Sequence, residues 1–359
     1  MTQKVLIAMS GGVDSSVAAS IIKDQGYECI GGTMKLFDDE YIAPGDDTCC
    51  SENAVEDARM VAEKLDMPYH VFNFKGDFKD IVIGNFIDAY ENGRTPNPCV
   101  VCNRYLKFEA LYDQAEQLGC DKIATGHYAR IEKQGDRYIL KKALDPKKDQ
   151  SYVLYSLTQE QLTRTMFPLG EMTKEETREI ANGLGFINAD KPDSQDICFI
   201  PDGKYAEFIQ RFTGKEYPEG DFVDTEGNVM GTHSGIIRYT IGQRKGLGVA
   251  AGKPVYVNKI DPENNTVVLG SNEELFKKTL YADKFNWIAF AKPDAPVRAS
   301  ARIRYAHKEQ PATIEPLDGD RVKITFDEGQ RAITPGQAVV VYDGDVVIGG
   351  GTIIGTTLK

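Results

Sequence analysis

Residues 4–16 read KVLIAMSGGVDSS. The run 4–9 is continuously apolar after its first lysine, as expected of a strand buried on both faces. Gly11 and Gly12 then turn the chain. The segment 15–25 carries apolar residues at 17, 18, 21 and 22 and is followed by Gly26, the residue type that usually ends a helix. A strand, a glycine turn and a helix leave unpaired backbone N–H groups at the helix N-terminus, with the positive end of its dipole facing whatever lies above. Gly11 and Gly12 let the backbone approach an anion without a Cβ in the way. Ser10, Ser15 and Ser16 add hydroxyl donors, and Asp14 is placed to hold Mg²⁺. The lysine of a GxxxxGK[ST] loop and the spacing of GxGxxG are both missing, so this is a phosphate loop of another kind.

Outward from this loop, strands and helices alternate. Residues 28–34, 69–74 and 122–125 read as strands, and 51–65, 78–90 and 104–118 as helices, with Ser51 an N-cap. That alternation predicts a doubly wound parallel sheet. The pattern loosens between 130 and 200, where Arg130, Lys133, Arg137, Lys141, Lys142, Lys147 and Lys148 cluster ahead of helical signals at 158–166 and 174–184. From about 205 onward, short strand-like runs broken by glycine and proline predict β modules. The expected division is an α/β unit over 1–204, a small β-rich unit over 205–279 and a C-terminal β-barrel over 280–359.

The chain has 359 residues, 41% of them hydrophobic and 27% charged, an ordinary globular balance. No apolar run approaches the roughly 18 residues that cross a bilayer. The opening MTQKVLIAMSGG has neither a basic n-region nor a small-residue cleavage site, so a signal peptide is not expected. Seven cysteines, none in the last 161 residues, fit thiols in a reducing cytosol better than a disulfide scaffold. The net charge of −12 argues against a general nucleic-acid binder. The surplus acid, however, sits in residues 1–100, with 8 basic against 17 acidic residues, leaving basic stripes elsewhere to face phosphates.

Cys99 and Cys102 lie in NPCVVCNRYLKF, where a proline-bounded loop enters a helix, a place that favours thiolate. The CxxC reads as a redox dithiol, half a zinc site, cluster ligands, or a nucleophile with an accessory thiol. A four-cysteine zinc site would need a second CxxC, and the sequence has none. Cys198, in KPDSQDICFIP, lies in another irregular segment. Three thiols on two loops above the carboxyl edge of the sheet could bind an iron–sulfur cluster or pass sulfur by exchange. Cys29 and Cys120 read as small buried hydrophobes, and Cys49 and Cys50 as incidental residues of an acidic loop.

The SGGxDSS loop resembles the PP-loop of the ATP pyrophosphatase superfamily (the adenine nucleotide alpha hydrolase-like fold). Together with TPNPCVVC, KDQSY at 148–152, DSxxICFI, GQRKGL and TPGQ, in that order along essentially the whole chain, it is similar to bacterial tRNA-specific 2-thiouridylases, the MnmA family. The resemblance implies ATP-dependent 2-thiolation of the wobble uridine, position 34 of tRNA, through an adenylated intermediate. It implies ATP contacts from Ala8, Met9, Ser10, Gly11, Gly12, Val13, Asp14 and Ser15, with Met34 and Gly126 framing the adenosine.

By the family's pattern, sulfur arrives as a persulfide on Cys198 from a cysteine desulfurase or a sulfur-relay protein. Cys102 is then the partner nucleophile, and a Cys102–Cys198 disulfide is left behind. Asn97, Pro98 and Cys99 match the positions against the flipped-out base. His127, Lys148, Asp149, Gln150, Arg304, Tyr305 and Gln337 match tRNA-binding positions. Cys99 stands where the better-known form of the family has an aspartate. The trio Cys99, Cys102 and Cys198 therefore also matches related thiolases that hold a [4Fe–4S] cluster, and both sulfur routes stay open. Cys198 must both load and deliver sulfur, so the loop from about 195 to 205 is expected to move. Two other functions compete: a PP-loop ligase acting on a small molecule, and a nucleotide sensor without catalysis. Neither explains the three thiols.

Overall fold

The computed structural model describes residues 2–37, 52–192 and 197–358. Its strands in chain order begin with β1 (Lys4–Ala8), β2 (Glu28–Lys35), β3 (Tyr69–Asn73), β4 (Lys122–Thr125), β5 (Ala129–Gln134), β6 (Arg137–Lys142) and β7 (Thr165–Met166). Five of them form one parallel sheet in the order β3-β2-β1-β4-β7. β1 is central because its side chains satisfy two cores at once: Leu6 enters one apolar cluster, and Val5 and Ile7 enter the other, all fully buried. On one face lie helix α1 (Val13–Asp24), α2 (Glu52–Lys64) and the helix Lys174–Gly183, through Val17, Ala58 and Ala181. On the other lie two long helical stretches, through Phe78, Phe86, Leu106 and Leu111. The sheet is therefore doubly wound, and its order reverses between β1 and β4, the place where such sheets open a ligand crevice at their carboxyl edge. Ser51, Cys49 and Cys50 lie outside the described residues.

Three local readings change. The helix expected over 104–118 already starts at Pro98, which takes the first helical position where its missing N–H costs nothing. Cys99 and Cys102 thus stand in a helix start rather than a loop, and the stretch Cys102–Ala110 is π-wound. The helix expected over 158–166 stops at Thr163. Thr158 and Gln161 cap it reciprocally, and the β-branched Thr165 then joins the sheet edge beside Ile123. The loose basic region is a hairpin, β5–β6, turned at Gly135 (φ +59°).

Strands β8 (Gly220–Val223), β9 (Val229–His233), β10 (Tyr256–Asp261) and β11 (Thr266–Gly270) make a small sheet ordered β10-β11-β8-β9. The last six, β12 (Phe276–Trp287), β13 (Val297–Arg302), β14 (Gln310–Pro316), β15 (Val322–Arg331), β16 (Ala338–Asp343) and β17 (Val346–Gly355), close into a barrel through β12–β17 pairing. Alternating residues such as Leu280, Ala282, Ile314 and Ile324 fill it. The β5–β6 hairpin extends this barrel sheet. β6 pairs with β17, and the Arg137 guanidinium donates to the carbonyls of Trp287 and Ile288. Among the described residues no helix is long and apolar enough to cross a membrane.

Candidate active site

A cavity of about 710 Å³ opens at the carboxyl ends of β1, β2 and β4, at the point where strand order reverses. Its floor is the glycine turn. Gly12 stands at the N-cap of α1 in an extended conformation and has no side chain with which to cap it, so the helix N–H groups stay available. The turn is knit by its own atoms. The Ser15 hydroxyl accepts from the Ser10 N–H (3.1 Å) and lies 2.9 Å from the Gly12 carbonyl, to which Ser16 Oγ also donates (3.1 Å). Ser15 and Ser16 are thereby engaged with the loop backbone.

Two glycines are required by close approach. A Cβ on Gly126 would sit 2.7 Å from the Asp14 carbonyl carbon and the Ser15 nitrogen, and one on Gly11 (φ +72°) would sit 2.1 Å from the Ala54 oxygen. Of the ten residues expected around ATP, nine line the cavity; Gly11 is turned instead toward α2.

The charge of the crevice is positive. Lys107, Lys147, Lys148 and Lys191 line it, and Asp14 supplies its carboxylate. That carboxylate accepts from Lys174 Nζ (2.6 Å) and the Tyr128 hydroxyl (2.8 Å) on the same oxygen. Lys191 is itself paired with Asp57 at 2.9 Å. His127, also on the wall, is largely buried, with Nδ1 2.6 Å from Thr125 Oγ1 and Phe108 and Phe167 around its ring. Burial first, then the nearby Lys107, pushes its pKa well below the usual histidine value, so it is neutral. Gln150 accepts from the Tyr128 N–H (2.8 Å), which fixes the KDQSY segment against the cavity.

The thiols stand beside this crevice and do not line it. Cys99 is exposed, Cys102 buried and Cys198 half-buried. Two residues link them to it. Lys107, on the cavity wall, lies five positions after Cys102 on the same π-wound stretch. Tyr305, on the cavity wall, feels the charge of Cys99, which helps raise its pKa after burial and Asp149. Among the described residues no three His, Cys, Asp or Glu side chains are arranged to hold a metal ion. Cys99, Cys102 and Cys198 are all described, so as they stand they do not fit the expected [4Fe–4S] ligand set.

The segment after Cys198 is anchored. Phe199 is buried and meets Phe78, Phe86 and Phe208 at centroid distances of 5.5, 5.4 and 5.2 Å. Within the segment expected to move, Phe199 is thus packed in the core, and residues 195 and 196 lie outside the described residues. Cys29 and Cys120 are buried as read. Burial raises both thiol pKa values, that of Cys29 to about 11, which keeps them protonated and inert.

The remaining expected RNA contacts divide. Lys148, Gln150, His127 and Tyr305 line the crevice. Asn97 is the N-cap residue before buried Pro98. Asp149 is buried, accepting from the Ala143 and Ser151 N–H groups at 3.1 Å and the Ser151 hydroxyl at 2.9 Å. Arg304 Nη2 donates to the carbonyls of Ile241 and Ala332 and to Thr334 Oγ1 (3.2, 3.1 and 2.7 Å). Gln337 Nε2 donates to the carbonyls of Thr95 and Pro96 (3.0 and 3.1 Å). Sequence reasoning missed Lys107, Lys174 and Lys191. Lys107 and Lys191 each share a segment with a flagged cysteine, whereas nothing in the sequence marks Lys174 as the partner of Asp14.

Family models match three consecutive parts of the chain: a tRNA methyl transferase HUP domain over 3–202, a tRNA methyl transferase PRC-barrel domain over 206–271, and an aminomethyltransferase beta-barrel domain over 277–353. The tRNA-specific 2-thiouridylases MnmA of Clostridioides difficile and Acetivibrio thermocellus are each 54% identical over 355 residues, covering 98% of this chain and 98% and 99% of theirs. A solved structure, the U34-tRNA thiolase NcsA from Methanococcus maripaludis with its [4Fe–4S] cluster, is 18% identical over 59% of this chain and 66% of that one. Its TM-score of 0.35 is too low to bear on the chemistry here. Near-complete coverage by relatives at that identity, over a crevice built around a glycine turn, means that the chain belongs to the family of tRNA-specific 2-thiouridylases, MnmA.

Proposed function

We propose that this chain converts the wobble uridine of tRNA to 2-thiouridine, using ATP and a persulfide. The observation that carries this reading is one crevice lined both by the phosphate loop and by Lys148, Gln150, His127 and Tyr305. These come from distant parts of the chain and match the family's tRNA-binding positions.

The triphosphate lies over the N-terminus of α1, drawn by the backbone N–H groups and by Lys107, Lys147, Lys148 and Lys191. The uridine O2 attacks the α-phosphorus as N3 gives up its proton to solvent, and pyrophosphate leaves. Uracil C2, a poor electrophile before, now carries AMP as a leaving group. Cys198 holds the persulfide, loaded by a cysteine desulfurase or a relay protein. The Cys102 thiolate attacks the inner sulfur, forming a Cys102–Cys198 disulfide and releasing hydrosulfide. Hydrosulfide adds at C2, AMP departs, and its proton returns to N3. An external dithiol then reduces the disulfide.

The helix that starts at Pro98 puts Cys99 in its first turn, where the dipole favours thiolate, and Cys102 buried one turn behind it. Asp14 fits Mg²⁺ as a single carboxylate beside the phosphates, the usual arrangement for that ion, which would neutralise charge on the leaving pyrophosphate. We read the chain as units 1–204, 205–279 and 280–359 acting together, with the cytoplasm as their compartment.

The test incubates the protein with ATP–Mg, a sulfide source and unmodified tRNA, then analyses the digested tRNA for thiolated uridine. Thiouridine with tRNA-dependent pyrophosphate is expected. Pyrophosphate released without tRNA, and no thionucleoside, would instead indicate a small-molecule ligase. Binding without cleavage would indicate a sensor. Full activity in metal-free protein supports the persulfide route, whereas iron and visible absorbance lost in Cys99→Ala would overturn it. tRNA binding is expected to weaken steeply with salt.

A further inference from the structure

We infer that Gln337 is a positioning residue. It belongs to a clamp, supplied by the C-terminal barrel, that fixes the start of the Cys99–Cys102 helix. Three contacts close the clamp on residues 95 and 96. The Thr95 N–H donates to the Pro335 carbonyl (2.9 Å), and the Gln337 amide donates to the carbonyls of both Thr95 (3.0 Å) and Pro96 (3.1 Å). Gly336 lies between them at φ +90°, so close that a Cβ would sit 2.9–3.0 Å from the Thr95 oxygen and nitrogen. The other end of the clamp is held in turn, because Arg304 Nη2 donates to Ala332, Thr334 and the Ile241 carbonyl.

Pro96 is followed directly by Asn97, the N-cap, and then by the helix that carries both thiols. Pro96 and Pro98 have no N–H, so the barrel grips the Thr95 N–H and the carbonyls of Thr95 and Pro96. Gln337 spends its amide donors on protein backbone. What it contributes to the reaction on this account is the angle at which the thiol helix enters, not a hydrogen bond given to RNA. The kinetic part of this inference rests on the proposed thiolation; the thiol-reactivity part does not.

The experiment measures alkylation by iodoacetamide in the tRNA-free protein, resolved by peptide mass spectrometry, for wild type, Gln337→Glu and Gly336→Ala. Glutamate has the shape of glutamine but cannot donate to the two carbonyls. Alanine leaves Gln337 intact and pushes on Thr95. A local clamp predicts that Cys102, buried in wild type, reacts at least five-fold faster in both variants, while buried Cys29 and Cys120 do not change. In thiolation assays kcat falls at least ten-fold, and the tRNA Kd stays within three-fold.

Unchanged Cys102 reactivity with a weakened tRNA Kd would make Gln337 a direct RNA contact and overturn the inference. If Gln337→Glu releases all the thiols together it has unfolded, and Gly336→Ala decides. General release there too would overturn a local clamp. A wild-type protein that makes no thiouridine would sink the proposed function and leave the alkylation result standing.

Discussion

The phosphate loop and the thiol segment reach the same crevice by opposite routes. The loop is bonded first within itself, through the Ser10, Gly12, Ser15 and Ser16 contacts, and then from outside by Asn188, which donates to the Gly11 carbonyl (3.0 Å) and Ser16 Oγ (2.9 Å), and by Lys174 and Tyr128 on Asp14. The thiol segment takes its position from Pro335, Gly336 and Gln337, about 240 residues away. A motif with bonds of its own has part of its geometry before its distant partners arrive. A segment held by a distant loop has its geometry only in the assembled chain.

The largest effect should come from filling the room left for the loop. Gly126→Ala places a methyl against backbone that cannot rotate away, an overpacking cost of about 3 kcal/mol. ATP affinity by calorimetry should fall on the order of a hundredfold. A smaller loss would show that the loop gives more than its internal bonds suggest.

Lys174→Met comes next. It strips Asp14 of a buried ammonium. Removing one partner of a buried pair costs about 3–5 kcal/mol, and the one-third exposure of the carboxylate lowers the expectation to about 2 kcal/mol. Urea unfolding and ATP binding both read it. If only stability moves, the pair supports the loop without shaping its affinity.

Acid should act on the chain as a whole, with one of its three partly or wholly buried histidines, His127, at the crevice. His127, His233 and His307 all have pKa values depressed by burial. The unfolded chain therefore takes up protons below about pH 6.5 that the folded chain refuses, and stability falls as pH drops through that value. Each fully excluded proton is worth about 1.4 kcal/mol per pH unit. Melting temperatures from pH 7.5 to 5.5 should decline, and His127→Phe, which suits the flanking rings, should flatten part of the slope. An unchanged slope would mean that His127 protonates freely in the fold.

The smallest effect is expected at Asp345→Asn, where Asp345 receives Arg130 (2.6 Å) and Lys141 (3.4 Å) from the β5–β6 hairpin. These charges are partly exposed, so about 0.5–1 kcal/mol is expected by thermal denaturation.

The same contrast explains what the sequence made legible. The parallel sheet and the glycine turn follow from local pattern, whereas the nine cavity residues follow from the family resemblance that the loop motif carries. The inert Cys29 and Cys120 follow from apolar context. The early helix start at Pro98 was hidden because an X–Pro pair reads equally as a loop. The β5–β6 hairpin was hidden beneath its basic residues; four of them, Arg130, Arg137, Lys141 and Lys142, turn out to bond the barrel or the carboxylates beside it. Thr165–Met166 is a strand because β4 offers it an edge, which helix periodicity cannot report. The partners of Gln337 and of Asp14 lie 242 and 160 residues away, beyond any window of pattern.

The hairpin also sets a timetable for the nascent chain. Arg130–Lys142 leaves the ribosome early, but the strand that pairs with its edge, β17, begins at Val346. At roughly 5–20 residues per second, about 200 residues of waiting last on the order of 10–40 s. During that interval the edge of β6 at Lys141, which Val346 later pairs, stands open. Arg137, Lys141 and Lys142, which read at first as a binding stripe, are also the residue types that blunt an exposed strand edge.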